Sequence, residues 1–241
     1  MARIPESPEE IFKDFTEDVQ NAFEKELVSI ILYGSGAKHA YIPKKSDINF
    51  LIALTDRGIE NLQNAINLVA KWRKRNVAVP LFLTQSYIDS ALDTFPIEFL
   101  NLKSRYQVVF GDDLLSGVVI KKSDLRLQIE RELRGKLIYL REGFLSTGQD
   151  RRALYEMLAA TVPSFVSIFS ALLYLKDEAV PDSRIKAFER TGELFGLQNA
   201  VFTHLLNIKR GEWRGSKTQL HEITMSFINQ IKKLVEQVDK I

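Results

Sequence analysis

The chain has no cysteine, which removes two chemistries at once. No disulfide can staple it, and no thiolate can serve as nucleophile or metal ligand. It has no apolar stretch approaching the length of a bilayer span. Its first ten residues, MARIPESPEE, lack the apolar core of a secretory signal. The expectation is a cytoplasmic protein with no membrane partner. An excess of either charge is also missing. The net charge of +2 gives no electrostatic ground for a nucleic-acid partner. The three histidines, His39, His204 and His221, fall at no metal-ligand spacing and are assigned no role. No internal repeat and no low-complexity segment is present. What remains is 45% hydrophobic and 27% charged residues in 241, an ordinary globular composition long enough for one large domain or two modest ones.

The hydrophobic pattern changes near residue 120. Ser7, Pro8 and Glu10 have the form of a capped helix start, followed by an apolar face of Phe12, Phe15, Val19, Ala22 and Phe23. Leu27–Tyr33 and Asn49–Leu54 are too short and too continuously apolar for surface helices and read as buried strands. Ile59, Leu62, Ile66 and Val69 predict an amphipathic helix that ends in the basic cluster 71–75. Residues 77–83 predict a third strand, placed by Pro80 at an edge or a bulge. Thr84 can cap a short helix, Phe95-Pro96 precedes another over 97–104, and 106–110 predicts a fourth strand closed by Gly111.

Beyond residue 120 nearly everything has helical periodicity. Leu125, Ile129, Leu133, Leu137, Leu140 and Phe144 form one stripe, with Arg126, Glu130, Arg134 and Arg141 on another face. Residues 151–177 are apolar on most sides and predict the core helix of a bundle, kinked at Pro163. Pro181-Asp182-Ser183 restarts the chain before two shorter helices, and a last helix covers about 218–240. The predicted class is α+β: a small mixed sheet with helices over 1–120, then an all-α antiparallel helical bundle over 121–241.

Chemistry concentrates in residues 32–50, LYGSGAKHAYIPKKSDINF. A strand runs into Gly34-Ser35, a loop follows, and Asp47-Ile48-Asn49 opens the next strand. Gly34 permits a sharp turn and lets a phosphate approach with no Cβ in the way. Ser35 offers a hydroxyl and a backbone N–H. Asp47 and Asn49, two apart on a strand, project from one face and present oxygens that can hold Mg²⁺ against a triphosphate. Lys45, with Lys44, lies in the loop, where one reading is contact with phosphate and the commoner one for exposed loop lysines is solvation alone.

This stretch resembles the nucleotidyltransferase fold of the DNA polymerase beta superfamily. The shared signature is an apolar residue, Gly, then Gly or Ser, a loop, then Asp, an apolar residue and Asp or Glu. Here the loop from Gly36 to Ser46 has eleven residues. The helical second half is similar to the bundle that follows this fold in aminoglycoside nucleotidyltransferases. The resemblance implies a nucleoside triphosphate, ATP or another, as substrate or ligand and Mg²⁺ as cofactor. It implies Gly34, Ser35 and Lys45 at the phosphates, and Asp47 and Asn49 as catalytic metal ligands. It also implies a site in the cleft between the two domains.

Two departures stand out. Asn49 occupies the second carboxylate position, where an amide brings no charge to offset the repulsion between two metal ions. The family also has a third carboxylate on the following strand, often acting as base. Residues 77–83 contain no acid, and Asp93 and Glu98 are the next carboxylates downstream. Bland readings compete elsewhere. The 71–75 cluster suits a helix C-terminus, the Arg126–Glu130–Arg134 face suits surface ion pairs, and Trp72 and Trp213 suit packing. Three functions stay open: a nucleotidyltransferase acting on an unidentified hydroxyl acceptor, a catalytically degenerate nucleotide-binding or regulatory protein, and a helical interaction module. The apolar second helix is compatible with a homodimer and equally with a closed bundle.

Overall fold

The computed structural model describes residues 3–38, 41–148, 150–181 and 183–241. His39 and Asp182 lie outside the described residues. The chain divides into two compact units, Met1–Ile120 and Lys121–Ile241.

Unit 1 begins with a 3-10 turn, Pro8–Ile11, that leads into α1, Phe12–Phe23. The expected capping by the Ser7 side chain is absent. Glu10 instead accepts the N–H of Glu6, the residue before the N-cap, at 3.2 Å, so the bond falls one residue outside a capping box. Strand β1 is Leu27–Tyr33 and β2 is Asn49–Leu54. Asp56–Ile59 forms the short α2 and Ala65–Arg73 forms α3. The face of α3 differs from expectation. Ala65, Leu68 and Trp72 are buried, whereas Ile66 is 66% exposed. A 3-10 turn at Leu62–Asn64 separates Ile59 from α3, so the assumed unbroken helical period does not carry through.

The third strand is shorter than expected. Only Leu81–Leu83 forms β3, after Pro80, and Val77 makes one isolated parallel bridge with Ile48. Pro80 has no N–H to donate and interrupts the ladder between the two contacts. Helix α4, Gln85–Ala91, is capped by Thr84, whose hydroxyl accepts from the Tyr87 N–H at 3.1 Å. Helix α5 is Pro96–Ser104 and β4 is Tyr106–Gly111. The sheet order is β3-β2-β1-β4, with β2 and β4 antiparallel to β1 and β3 parallel to β2. The Pro80-bounded β3 is therefore an edge strand. One core packs α1 and α3 on the sheet, with Phe15 stacked on Phe50 at 4.2 Å and edge-on to Trp72 at 5.2 Å. In the basic cluster, Lys71 pairs with Asp18 and Arg75 with Asp14.

Unit 2 comprises α6 (Lys122–Ser146), α7 (Arg151–Leu175), α8 (Arg184–Leu194), α9 (Asn199–Arg210) and α10 (Lys217–Val238). Contacts between helix ends fix the directions. Lys122, at the start of α6, pairs with Asp177, just past the end of α7. Phe144, near the end of α6, packs on His221, near the start of α10. The Tyr155 hydroxyl on the first turns of α7 donates to Ile208 O on the last turns of α9 at 2.7 Å. Each pair is antiparallel.

Phe165, Phe169, Phe188, Phe202 and Phe227 meet in one aromatic core. Glu130 accepts from Arg126 and Arg134, and Arg134 also reaches Asp239, so the polar face of α6 is an ion-pair ladder. Pro163 lies inside α7 without ending it. By length and composition α7 is apolar enough to cross a membrane, contrary to the reading that no stretch approaches that length. Half of its most apolar window is buried in the bundle, which is the pattern of a core helix.

Candidate functional site

Antiparallel pairing of β1 with β2 puts the end of one strand beside the start of the other. Tyr33 is opposite Asn49, so the Gly34-Ser35 turn stands next to Asp47 and Asn49. Gly34 has φ +75°, in the left-handed region that favours glycine, and its N–H donates to Arg105 O at 3.0 Å. From Gly34 the chain winds into a 3-10 turn, Gly34–Lys38. Gly36 is buried in that turn. A β-carbon there would stand 3.2 Å from Leu32 and 3.3 Å from Pro8, so the turn lies close on the core. This close approach is a role for Gly36 that the motif does not announce.

The second half of the corner is held by residue 76. Asn76, at φ +66°, gives its carbonyl to the Ile48 N–H at 2.9 Å and its side-chain amide to Ser46 O at 2.6 Å. Ile48 is fully buried, so Asp47 and Asn49, on either side of it, turn away from that core. Asp47 is exposed, and Gly34, Ser35 and Asn49 are half-buried. Sequence reasoning missed Asn76 as a positioning residue. The available signal was an asparagine directly before an apolar run, a residue that tolerates φ above zero.

The loop before Asp47 closes in a tight turn. Lys45 and Ser46 donate backbone N–H groups to Ile42 O, and the Ile42 N–H returns to the Ser46 hydroxyl at 3.2 Å. The Tyr41 hydroxyl ties the loop to Pro5 O at 3.2 Å. Burial is the main cause that raises the Tyr41 pKa above its ordinary value, and the negative field of Asp47 adds to it. Tyr33, opposite both Asn49 and Tyr106, also has its pKa raised by burial. The Lys45 side chain is exposed, with no hydrogen bond or ion pair among the described residues. The same holds for the Ser35 hydroxyl and the Asp47 carboxylate, which leaves both available to a ligand.

The structure therefore brings Gly34, Ser35, Asp47 and Asn49 to one corner of unit 1, with Lys45 on the adjoining loop. The segment beside Ile48 carries no acid. Val77 to Val79 run alongside Ile48, and Val79 is 61% exposed. Among the described residues no three acidic or imidazole side chains come together, so Asp93 and Glu98 do not complete a trio with Asp47. The Asn49 amide nitrogen donates to Asp47 O at 3.2 Å, which turns N–H rather than oxygen toward that side of the corner. A two-metal centre does not fit this donor set, because two cations need more than one anionic ligand between them.

Two hollows of about 320 Å³ each lie elsewhere in unit 1. One is lined by Glu24, Lys25, Arg57 and Asn61, toward the opposite end of β1, and the other by Leu62, Ile66, Val69 and Phe82. Neither includes a residue of the corner. The second hollow is apolar and the first mixes acidic with basic side chains, whereas the corner offers the open glycine turn with polar groups that phosphate recognition uses.

No protein-family model matches the chain, and no curated protein matches it. Among solved structures, the chain is similar to the spectinomycin adenyltransferase AAD(9) from Enterococcus faecialis, crystallised with ATP and spectinomycin. The TM-score is 0.50 at 13% identity, covering 91% of this chain and 99% of that one. At that identity the likeness is one of fold. The chain has an α+β, nucleotidyltransferase-like fold with a helical C-terminal part.

Proposed function

We propose that this protein is a nucleotidyltransferase of the DNA polymerase beta superfamily that takes up a nucleoside triphosphate at the Gly34-Ser35/Asp47-Asn49 corner. The observation that carries this reading is the pairing of Tyr33 with Asn49. It sets a left-handed glycine turn, with a serine hydroxyl and a carboxylate that have no partner among the described residues, at one corner. In the reaction an acceptor hydroxyl attacks the α-phosphorus. A new P–O bond forms, the bond to the bridging oxygen of the β-phosphate breaks, pyrophosphate leaves, and the hydroxyl proton is released. Gly34 and Ser35 serve the phosphates, Lys45 adds positive charge from the loop, and Asp47 faces the reacting group. No step of this reading passes through a metal ion.

ATP is the first nucleotide to test and spectinomycin the first acceptor, because a solved protein of this fold was crystallised with both. The experiment incubates the protein with ATP and a panel of hydroxyl acceptors, and measures pyrophosphate release and the mass of any adduct. An adduct with one acceptor supports transfer.

A second reading, nucleotide binding without transfer, is favoured by Asn49 and by the acid-free run Val77 to Val79 beside it. Calorimetric binding of ATP with no pyrophosphate from any acceptor would select it. Absence of binding by every common nucleoside triphosphate at millimolar concentration would remove both readings.

A further inference from the structure

The orientation of one amide decides what the corner can hold. Asn49 Nδ2 lies 3.2 Å from the Asp47 carbonyl oxygen. A carbonyl oxygen only accepts hydrogen bonds, so the group facing it is the NH₂ and not Oδ1. The same nitrogen is the atom that a β-carbon on Gly34 would meet, at 3.8 Å. An amide nitrogen has two hydrogens. One goes to Asp47 O, and the nitrogen that carries the other is the one Asn49 atom within 4 Å of a β-carbon built on Gly34. Asn49 therefore shows the turn a donor. A cation needs lone pairs and is repelled by N–H, whereas a phosphate oxygen needs the donor.

Local charge points the same way. Between Gly34 and Leu54 the only carboxylate is Asp47, against Lys38, Lys44 and Lys45. A second carboxylate at position 49 would repel a polyphosphate unless a cation stood between them. With an amide there, and valines rather than acids at 77 and 79, that repulsion is missing.

We propose that Asn49 is a hydrogen-bond donor to phosphate rather than a metal ligand, so that this corner binds a nucleoside triphosphate without a divalent cation. The proposal rests on the nucleotide reading given above and disagrees with the metal that the fold implies.

The test is equilibrium binding of ATP, GTP, CTP and UTP to the full chain, in Mg²⁺ and in excess EDTA, with pyrophosphate release not required. For the wild-type protein, the affinity of the best nucleotide is expected to change less than about threefold between the two conditions, since no cation is part of the site. Asn49→Ala is expected to weaken binding about tenfold or more in EDTA, the effect of losing one hydrogen bond to a charged acceptor. Asn49→Asp is expected to lose binding in EDTA and regain it with Mg²⁺.

Wild-type binding that needs Mg²⁺ would overturn the proposal while leaving the nucleotide reading intact. Binding by Asn49→Ala equal to wild type, in a variant with an unchanged melt, would overturn the donor role. Absence of binding in both conditions would remove the nucleotide reading and this proposal with it. The wild-type comparison needs no substitution and decides the matter even if the variants fold poorly.

Discussion

Gly34 is where backbone and function are most tightly joined. A β-carbon there has ordinary room, with its nearest neighbour at 3.8 Å, so a clash is not the difficulty. The strain comes from φ +75°. Gly34→Ala should therefore destabilise unit 1 by about 1 kcal/mol, the penalty for an L-residue in the left-handed region, read as a shift in urea midpoint. ATP affinity should also fall, which the stability loss alone would not cause in a protein that stays folded, because the new methyl stands toward the Asn49 donor. Unchanged affinity in the still-folded variant would separate Gly34 from the ligand.

Tyr33 gives a second test. Burial raises its pKa above the ordinary 10.0, so the fold favours the protonated phenol. Above about pH 10 the unfolded chain gives up this proton while the folded chain keeps it. Stability from Tyr33 is complete below that pH and is lost as pH rises through the higher folded value. Tyr41 and Tyr106 shift in the same direction, mainly through burial. Urea midpoints should decline on the alkaline side, and Tyr33→Phe should flatten that decline. An unchanged slope would show that Tyr33 is not the group involved. At this scale the sequence showed which residues meet, since the Gly-Ser and Asp-x-Asn spacing already placed them on adjoining strand ends. It did not show which way the Asn49 amide turns. That depends on a carbonyl two residues away in folded geometry, and no spacing encodes it.

Among the elements, the strands were the most legible. Leu27–Tyr33 and Asn49–Leu54 are bounded by charged or polar residues and buried on both faces, so composition alone marks their ends. Residues 77–83 were less legible, because apolar content persists through Pro80 while backbone pairing does not. The face of α3 misled for a different reason. Ile59, Leu62 and Ile66 hold a helical spacing in sequence, but a 3-10 turn between α2 and α3 changes the rotation per residue and exposes Ile66.

Pro163 offers a measurable case in α7. It is exposed and lies inside the helix, so it removes an N–H from the ladder without contributing buried contacts. Pro163→Ala should raise the urea midpoint of unit 2, with a gain of roughly 1 kcal/mol and an upper bound near the full helix-interior penalty of about 3 kcal/mol. A lower midpoint would mean that the bundle is built around the proline's geometry. The opposite experiment is Asp150→Ala. It removes the cap on the Ala153 N–H, 2.8 Å away, and should destabilise α7 by about 1 kcal/mol.

The whole chain consists of two compact units, each with a core of its own. In unit 1 the core is Phe15, Phe50 and Trp72 between sheet and helices, and in unit 2 it is five phenylalanines among helices. The α+β class was legible because short apolar runs and long helical periods are separated along the sequence rather than interleaved. Two cores built from different segments have no reason to share one midpoint, so denaturant unfolding should depart from a single two-state transition. Phe15 and Phe169 are both fully buried, which makes them suitable reporters. Phe15→Ala should lower one transition and Phe169→Ala the other, each by about 3 to 5 kcal/mol. The ligand then assigns the transitions. A nucleotide that binds the corner stabilises only the state in which that corner is folded, by about 1.4 kcal/mol at ten times its dissociation constant. ATP should therefore raise the transition that Phe15→Ala lowers and leave the other in place. The same shift should appear in EDTA if Asn49 meets phosphate as a donor. A nucleotide shift confined to the Phe169 transition would move the binding site out of unit 1, and the corner would lose its assignment.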